Sequence, residues 1–542
     1  MSSGEQEYVD ISTIGIDQVA QAPAPLPSSA DKATTSYWMA TTATHQLPDS
    51  LEAPPAKSDV VVVGSGITGV STAYHLVDSA PASSSPIASI TIVEARSFCS
   101  GATARNGGHL TAVSALAYID LAANPSHLLG ARASRLSKEE IDTGSAKMVE
   151  EILEFERHTA NAIRSIIADE HVEQEIGFTD DRNWHFCFEQ AEVEAFEQSL
   201  SQAAQHAGLR KFVDQVRRVP KGEVDTRMKH PAGILAVYEI PGATLHPRAL
   251  VSVIFKRAQR IAAAKGISLN IVTDLPVVGI TSPSPGLTIL ATAKGDIEAK
   301  YVVHATNGYA SHLLPQLSSS DGGIIPTRAQ VVAVAPTQRG YLWGMALSAG
   351  GGYEYGHQRP ESEAASTAAA APLYILGGGR EYADGREWGV ADDTAFNPQV
   401  SAFLHPYMGR VFPNSYSSEG VQMEWTGIMG YTKTKDPLVG PVVWSEECKR
   451  QGKEYVAAGY SGHGMTRAFG CARVVADMIL ADATGRKWVK REPFPDCYLT
   501  AGSQAAAVVD ADTESEKRER DSVAAVEPAL RSTSAVSCCD IM

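Results

Sequence analysis

Asp59-Val60-Val61-Val62-Val63-Gly64-Ser65-Gly66-Ile67-Thr68-Gly69 reads as an apolar strand running into a glycine turn. Four successive valines suit a strand buried on both faces of a parallel sheet. Beyond Gly69, residues Ala73, Leu76 and Val77 fall on one helical stripe. Strand, tight turn and helix, with the spacing Gly64-x-Gly66-x-x-Gly69, is the order of a dinucleotide-binding unit. The first glycine permits the turn, the second admits the pyrophosphate and the third lets helix and strand pack closely. The helix start at Ile67 and Thr68 offers free N–H groups and a partial positive charge to phosphates. A second apolar strand, Ile90–Val93, ends in Glu94, 25 residues past Gly69 (94 − 69). That is near the spacing of about 20 expected of an acid that binds ribose hydroxyls. The Ser-, Pro- and Ala-rich residues 80–89 read as a loop insertion that lengthens it. An acid rather than an arginine disfavours a 2′-phosphate and leaves NAD and FAD both open.

The chain has 542 residues, 44% hydrophobic and 20% charged, enough for two domains or more. A formal net charge of −16 disfavours nonspecific nucleic-acid binding. No Lys or Arg precedes Lys32, no apolar signal region is present, and no stretch reads as a membrane helix. The seven cysteines show neither zinc spacing nor a disulfide framework. A reducing, cytoplasmic compartment and no metal are expected.

Taken in order, residues 1–57 read as a disordered leader, with Ser36-Tyr37-Trp38-Met39 as an aromatic island that docks on the body. Residues 58–130 form the first part of a nucleotide-binding domain. Residues 131–240, with a long helical pattern over 134–170, begin a second, substrate domain. Residues 241–323 return to the first domain, and 324–424 return to the second, with 344–372 as an exposed loop insertion. Residues 425–485 complete the nucleotide domain, and 486–542 form a mostly disordered tail. The fold expected is α/β, or α+β over the whole chain: a Rossmann-like domain interleaved with a domain on a mixed or antiparallel sheet with helices. Near the end, Gly459-Tyr-Ser-Gly462-His463-Gly464-Met465-Thr466 gives a second strand–glycine–helix unit. Its helix start could stabilise negative charge on a reduced ring. The C-terminal Cys539-Asp-Ile-Met542 suits farnesyl transfer to Cys539, with Cys538 open to a second lipid and membrane contact.

Together with Ser100-Gly-Ala-Thr103-Ala-Arg105-Asn106-Gly107-Gly108-His109, Gly242 to Pro247, Trp425-Thr-Gly427 and the Gly459–Gly464 run, these motifs resemble the FAD-dependent oxidoreductases of the D-amino-acid oxidase superfamily. The likeness covers roughly 36–485 and is greatest to the γ-glutamylputrescine oxidase branch. It implies FAD rather than NAD. By that resemblance Gly64, Gly66, Ile67, Thr68, Gly69, Glu94, Ala95 and Arg96 hold the ADP half. Thr103, Ala104, Arg105, Asn106 and Gly107 lie along the flavin. Val277 meets adenine through its backbone, and Ala305, Thr306 and Asn307 cover the pyrophosphate. Gly462, His463, Gly464, Met465 and Thr466 face the pyrimidine ring. Relatives that attach flavin covalently use a His in the first loop or a Cys near 425–431. This chain has Asn106 in the one and no Cys in the other, so FAD is expected to be non-covalent.

The expected reaction oxidises a CH–NH substrate, an amine or amino acid, to an imine, with oxygen as acceptor. Alternatives are a dehydrogenase serving a quinone or protein partner, and a flavin-binding protein without catalysis. His463 is the catalytic candidate, and Tyr431 and Arg328 are the substrate contacts. Where the superfamily carries a basic carboxylate-binding residue, Thr466 precedes Arg467. That turns the reading from a simple N-methylglycine toward another amine.

Overall fold

The computed structural model describes residues 22–42, 47–81, 85–319, 321–338, 343–360, 372–444, 450–491 and 493–501. Cys538, Cys539, residues 1–21 of the expected leader and 361–371 of the expected insertion lie outside them. Two eight-stranded sheets organise the chain. At the middle of the first is Lys57–Val63, parallel to Ser89–Val93 on one side (Val60 opposite Ile90) and to Ile297–His304 on the other (Val60 opposite Tyr301). Ser268–Val272 extends one edge, and Lys453–Ala458 followed by Leu438–Pro441 extends the other. The four valines are buried on both sides as expected. Val60 and Val62 join the core beneath the helices, and Val61 and Val63 join Leu290 and Ile297 on the opposite face.

The helices Ile67–Ser79, Pro247–Ala264 and Gly464–Ala483 pack on the first face. The helix Lys138–Glu170, expected to open the substrate domain, shares this same core. Its Ile152, Phe155 and Ile163 are fully buried there. It crosses Gly464–Ala483 where a Cβ on Gly470 would lie 2.5 Å from Thr159 Oγ1. The amphipathic pattern found the helix but carried no information on which sheet it covers.

The second sheet is mixed and mostly antiparallel. Tyr416–Tyr431, Ile325–Pro336, Tyr374–Gly377, Glu354–Gln358, Ala346–Ala349, Thr179–Cys187, Ala236–Thr244 and Arg217–Arg218 follow one another across it. One face packs Trp184, Phe186, Trp343, Tyr374 and Phe412 beneath the helix Pro398–Val411.

Three expectations are corrected here. Residues 346–358 are two central strands rather than a loop. They are short and Gly- and Ser-rich, and the run Gly350–Gly352 between them masks any alternation. The expected boundaries at 240/241 and 424/425 both fall inside strands of this second sheet. The start of the expected tail is also packed, whereas Trp38 of the leader is fully buried in keeping with the docking expected of residues 36–39. Phe494 and Tyr498 set their rings edge-on against Phe155, 5.2 and 5.8 Å away. Burying one such ring contributes about 1.5–3 kcal/mol, enough to order a short segment. Among the described residues no helix is long and apolar enough to cross a membrane.

Candidate cofactor and substrate site

A cavity of about 670 Å³ opens at the C-terminal ends of the first sheet's parallel strands and is closed by a face of the second sheet. This is where an open α/β sheet binds ligands. Of the residues singled out in the sequence, all described ones line it except Gly69, Ala104 and Arg328. Gly64 has φ +109° and a Cβ there would lie 2.7 Å from Ala305 O. A Cβ on Gly69 would lie 1.9 Å from Gly64 O. Gly69 thus serves the turn from behind.

The helices Ile67–Ser79 and Gly464–Ala483 both begin at the cavity; neither N-cap residue supplies a side-chain cap, and Thr103 Oγ1 accepts from Ile67 N (3.2 Å). Their first N–H groups add two positive dipole ends to one cavity. Thr68 Oγ1 donates to Tyr460 Oη (3.1 Å) and so couples the two starts. Glu94 is held by its neighbours: Oε2 accepts from Ser65 N (2.9 Å) and Ser65 Oγ (2.8 Å), and Oε1 from Arg96 N (2.9 Å).

The guanidinium groups of the two arginines of this region are committed to protein partners. Arg96 pairs with buried Asp393 at 2.8 Å. Arg105 donates to Ser100 O (2.8 Å), Thr34 O (2.7 Å) and Thr426 O (2.9 Å). Burial lowers the Arg105 guanidinium to about 10, with Asp393 opposing the shift. At the other end of the cavity Asn307 Oδ1 accepts from Gly459 N (3.0 Å), beside Val277, Ala305 and Thr306.

The second sheet supplies a basic, aromatic wall of which the sequence reading singled out Tyr431 and missed Arg380, Tyr353 and Trp388. The Arg380 guanidinium stands 4.5 Å from the Trp388 ring centre, 5.0 Å from Tyr431 and 5.3 Å from Tyr353. One of its nitrogens donates to Arg386 O (3.0 Å). Tyr355 and His109 complete this wall with rings 5.9 Å apart, and burial lowers His109 to about 4. Arg328 lies elsewhere. It pairs with Glu387 and donates to Asp392 O and Ala395 O (3.3 Å each), bracing the loop that carries Trp388. Only Arg380's place after Gly377-Gly-Gly379, a turn facing the cavity, could have marked it in the sequence. Farther along, Ser348 Oγ accepts from Asn183 Nδ2 (2.9 Å) and meets His185 Nδ1 (3.0 Å). His185 Nε2 is held by Glu192 (2.8 Å).

His463 leads the second helix, its N–H bonded to Tyr460 O (2.9 Å). Its imidazole lies 3.9 Å from Glu156 Oε2. Although 43% of that side chain is open to the cavity, the protein packed around it lowers its pKa below 6.5, with Glu156 opposing. Glu156, a residue of the helix Lys138–Glu170, is fully buried. It accepts from Thr466 Oγ1 (2.7 Å), Arg467 Nε (2.6 Å) and Val113 N (2.9 Å). Burial alone would raise its carboxyl, but Arg467 and its other donors outweigh that and hold it low. Arg467 is therefore committed to Glu156, and to Asp436 at 3.5 Å.

This arrangement fits a large dinucleotide. Buried polar atoms of the wall, His109 Nε2, Thr111 Oγ1, Thr306 Oγ1 and Trp388 Nε1, lack protein partners. They stand beside the two helix starts and a glycine cradle. No curated protein matches the chain. Among solved structures, L-proline dehydrogenase from P. horikoshii has a TM-score of 0.55 at 19% identity, covering 80% of this chain and 95% of that one. Glycine oxidase from Geobacillus kaustophilus has a TM-score of 0.55 at 18% identity, covering 80% and 96%. L-amino acid deaminase from Proteus vulgaris has a TM-score of 0.53 at 16% identity, covering 84% and 99%. These likenesses establish the shared fold. Residues 59–478 match the family model described as DAO, FAD dependent oxidoreductase, and the chain belongs to that family, an oxidoreductase with FAD as its cofactor.

Proposed function

We propose that the protein oxidises the C–N bond of a carboxylate-bearing amine to an imine, with oxygen as acceptor. The observation that carries this is Arg380, a cation inside an aromatic wall that faces the cavity. A planar guanidinium suits a carboxylate, and the rings about it exclude water and strengthen the pair. Tyr431 and Trp388 then flank the substrate. The α-carboxylate of an amino acid and the carboxylate of a γ-glutamyl amine both meet this requirement. The motifs shared with the γ-glutamylputrescine oxidase branch favour the second.

FAD, when bound, accepts the hydride equivalent from the carbon beside nitrogen. The chain's task is to bind the neutral amine with that carbon presented. Arg380 anchors one end of the substrate, and its positive charge disfavours an ammonium nearby. His463, whose pKa is lowered by the surrounding protein with Glu156 opposing, takes the proton the amine sheds at its unprotonated ring nitrogen. The imidazolium so formed is stabilised by Glu156. Gly64, Gly66, Glu94, Ala305, Thr306 and Asn307 hold the dinucleotide, with the two helix starts facing its charged groups.

An anaerobic absorbance titration tests the reading. Carboxylate-bearing amines bleach the bound flavin, the same amines without the carboxylate do not, and admitting air restores the colour. Bleaching by amines regardless of carboxylate defeats the assignment of Arg380. Recovery only with a dye or quinone makes the protein a dehydrogenase. The FAD is non-covalent in this reading. None of the four buried cysteines among the described residues lines the cavity. Acid precipitation should release the yellow colour to the supernatant; colour kept in the pellet refutes it.

A further inference from the structure

Residues 24–41 precede the first strand of the Rossmann-like sheet, yet they reach the cavity at Leu26 and Pro27 and bond to the loop 104–106 that lines it. At one end Ala24 N donates to Ser311 Oγ (2.9 Å), and His312 Nδ1 lies 3.2 Å from Ala24 O. Leu26 and Pro27 then form cavity wall beside Val277 and Leu313. At the other end the segment turns beneath the loop 104–108. Ser36 caps the short helix Tyr37–Thr41, and its hydroxyl donates to Ala104 O (2.5 Å). Trp38 Nε1 donates to Asn106 O (2.6 Å). Between them Trp425 Nε1 donates to Arg105 O (3.0 Å), and beyond them Leu245 N donates to Gly108 O (2.9 Å).

Three consecutive carbonyls, 104 to 106, are thus drawn to the back of the loop, two of them by this segment. In a trans peptide each carbonyl points opposite to the N–H of the next residue. Holding the carbonyls of Arg105 and Asn106 at the back turns the N–H groups of Asn106 and Gly107 forward, to the cavity those residues line. Trp38 is locked for this task. It is fully buried, edge-on to His246 (4.9 Å), stacked at 6.1 Å on His357 and covered by the Arg359 guanidinium at 5.3 Å.

We propose that residues 24–41 are a strap belonging to the FAD site: Leu26 and Pro27 wall the cofactor in at the Val277 end, Ser36 anchors the base of the loop at Ala104, and Trp38 is a positioning residue that aims the Gly107 N–H group at the flavin, beside the Asn106 N–H set by Trp425. Fixed N–H dipoles aimed at a ring that gains negative charge on reduction favour the reduced form. The strap therefore sets both how long FAD stays bound and how readily it is reduced.

The test is the Ser36→Ala/Trp38→Phe double variant of the full chain, which keeps a ring in the Trp38 slot and removes the two donors together with the Ser36 cap on Met39 N, with Trp38→Phe alone as the variant that leaves that cap in place. FAD release on dilution is followed by the return of free-flavin fluorescence. The reduction potential comes from equilibration with a reference dye, and the apoprotein melting temperature serves as control. The expected result is FAD release about tenfold faster and a reduced-to-oxidised ratio about tenfold lower. For two electrons that ratio is about 30 mV. Leu26→Asn should speed release and leave the potential as it was. A double variant with the parental potential and flavin spectrum overturns the positioning role, whatever its melting temperature. Leu26→Asn with parental release overturns the wall.

Discussion

The two sheets meet one cavity with different parts of the chain. The first sheet offers backbone: the Gly64–Gly69 turn, the peptides of Ala305 to Asn307, and two helix starts. The second offers side chains: Arg380, Tyr355, Tyr431 and, by its loop, Trp388. A backbone surface suits the phosphates that every dinucleotide shares, and it tolerates no added atoms. A side-chain surface sets which substrate enters, and it can change one residue at a time without disturbing the cofactor. If that division is right, substitutions on the two sides should fail in different ways.

The sharpest break is expected at Gly69. Its Cβ would fall 1.9 Å from Gly64 O, backbone that cannot recede without opening the turn. Gly69→Ala should yield protein without FAD, judged from the ratio of visible to ultraviolet absorbance. A fully yellow variant would show that the cradle is not rigid.

Glu156→Gln comes next and tests the seam between the two surfaces. Removing this carboxylate leaves Arg467 buried with its principal partner gone, a loss of about 3–5 kcal/mol. It should appear as a marked drop in melting temperature of the apoprotein. The pH dependence follows from the same pair. The folded Glu156 carboxyl lies below its ordinary 4.5. Its contribution is therefore complete above the ordinary carboxyl range and is lost as pH falls through the lowered folded value. The parent should lose stability more steeply than the Gln variant in that acid window; parallel pH profiles would remove the ion pair from the account.

Arg380→Met should leave FAD content and spectrum unchanged and reduce kcat/KM for a carboxylate-bearing amine by about a hundredfold. Arg328→Met, which breaks a brace 52 residues earlier in the chain (380 − 328), should lower stability with a far smaller kinetic effect. Equal kinetic losses in the two would mean that the aromatic wall works as one unit with its supporting loop.

The same contrast explains what could be read from sequence. The cradle lies within eleven residues, Asp59 to Gly69, and Gly64, by its φ of +109°, and Gly69, by its approach to Gly64 O, have causes inside it, so the turn, the parallel strand and Glu94 were all legible. Tyr431 was singled out alone; Arg380 joins it in one wall only because Tyr374–Gly377 and Tyr416–Tyr431 flank Ile325–Pro336 in the second sheet, a pairing that no local pattern encodes. Arg328 was expected to contact substrate, but its register opposite Ile428 leaves its charge on the Glu387 loop. The strands at 346–358 were hidden by glycine, and Phe494 and Tyr498 by the polar chain about them. The helix Lys138–Glu170 shows the limit from the other side. Its periodicity was plain, but its apolar stripe fits either sheet until Gly470 opens a place beside Thr159.

His463 should give the smallest kinetic effect, because it belongs to both surfaces. Its backbone begins a helix at the cavity, whereas its ring lies beside Glu156. Substituting the ring leaves the helix start in place, so His463→Gln should keep FAD and lose about tenfold in kcat/KM, at the low end of proton-transfer contributions. The pH profile carries the distinction. Protonation removes the acceptor nitrogen, and the folded pKa lies below 6.5. In the parent the His463 step of the acid limb should therefore fall below the range of an ordinary histidine and vanish in the Gln variant. A limb that persists unchanged would return the proton to the solvent and leave His463 as part of the backbone surface alone.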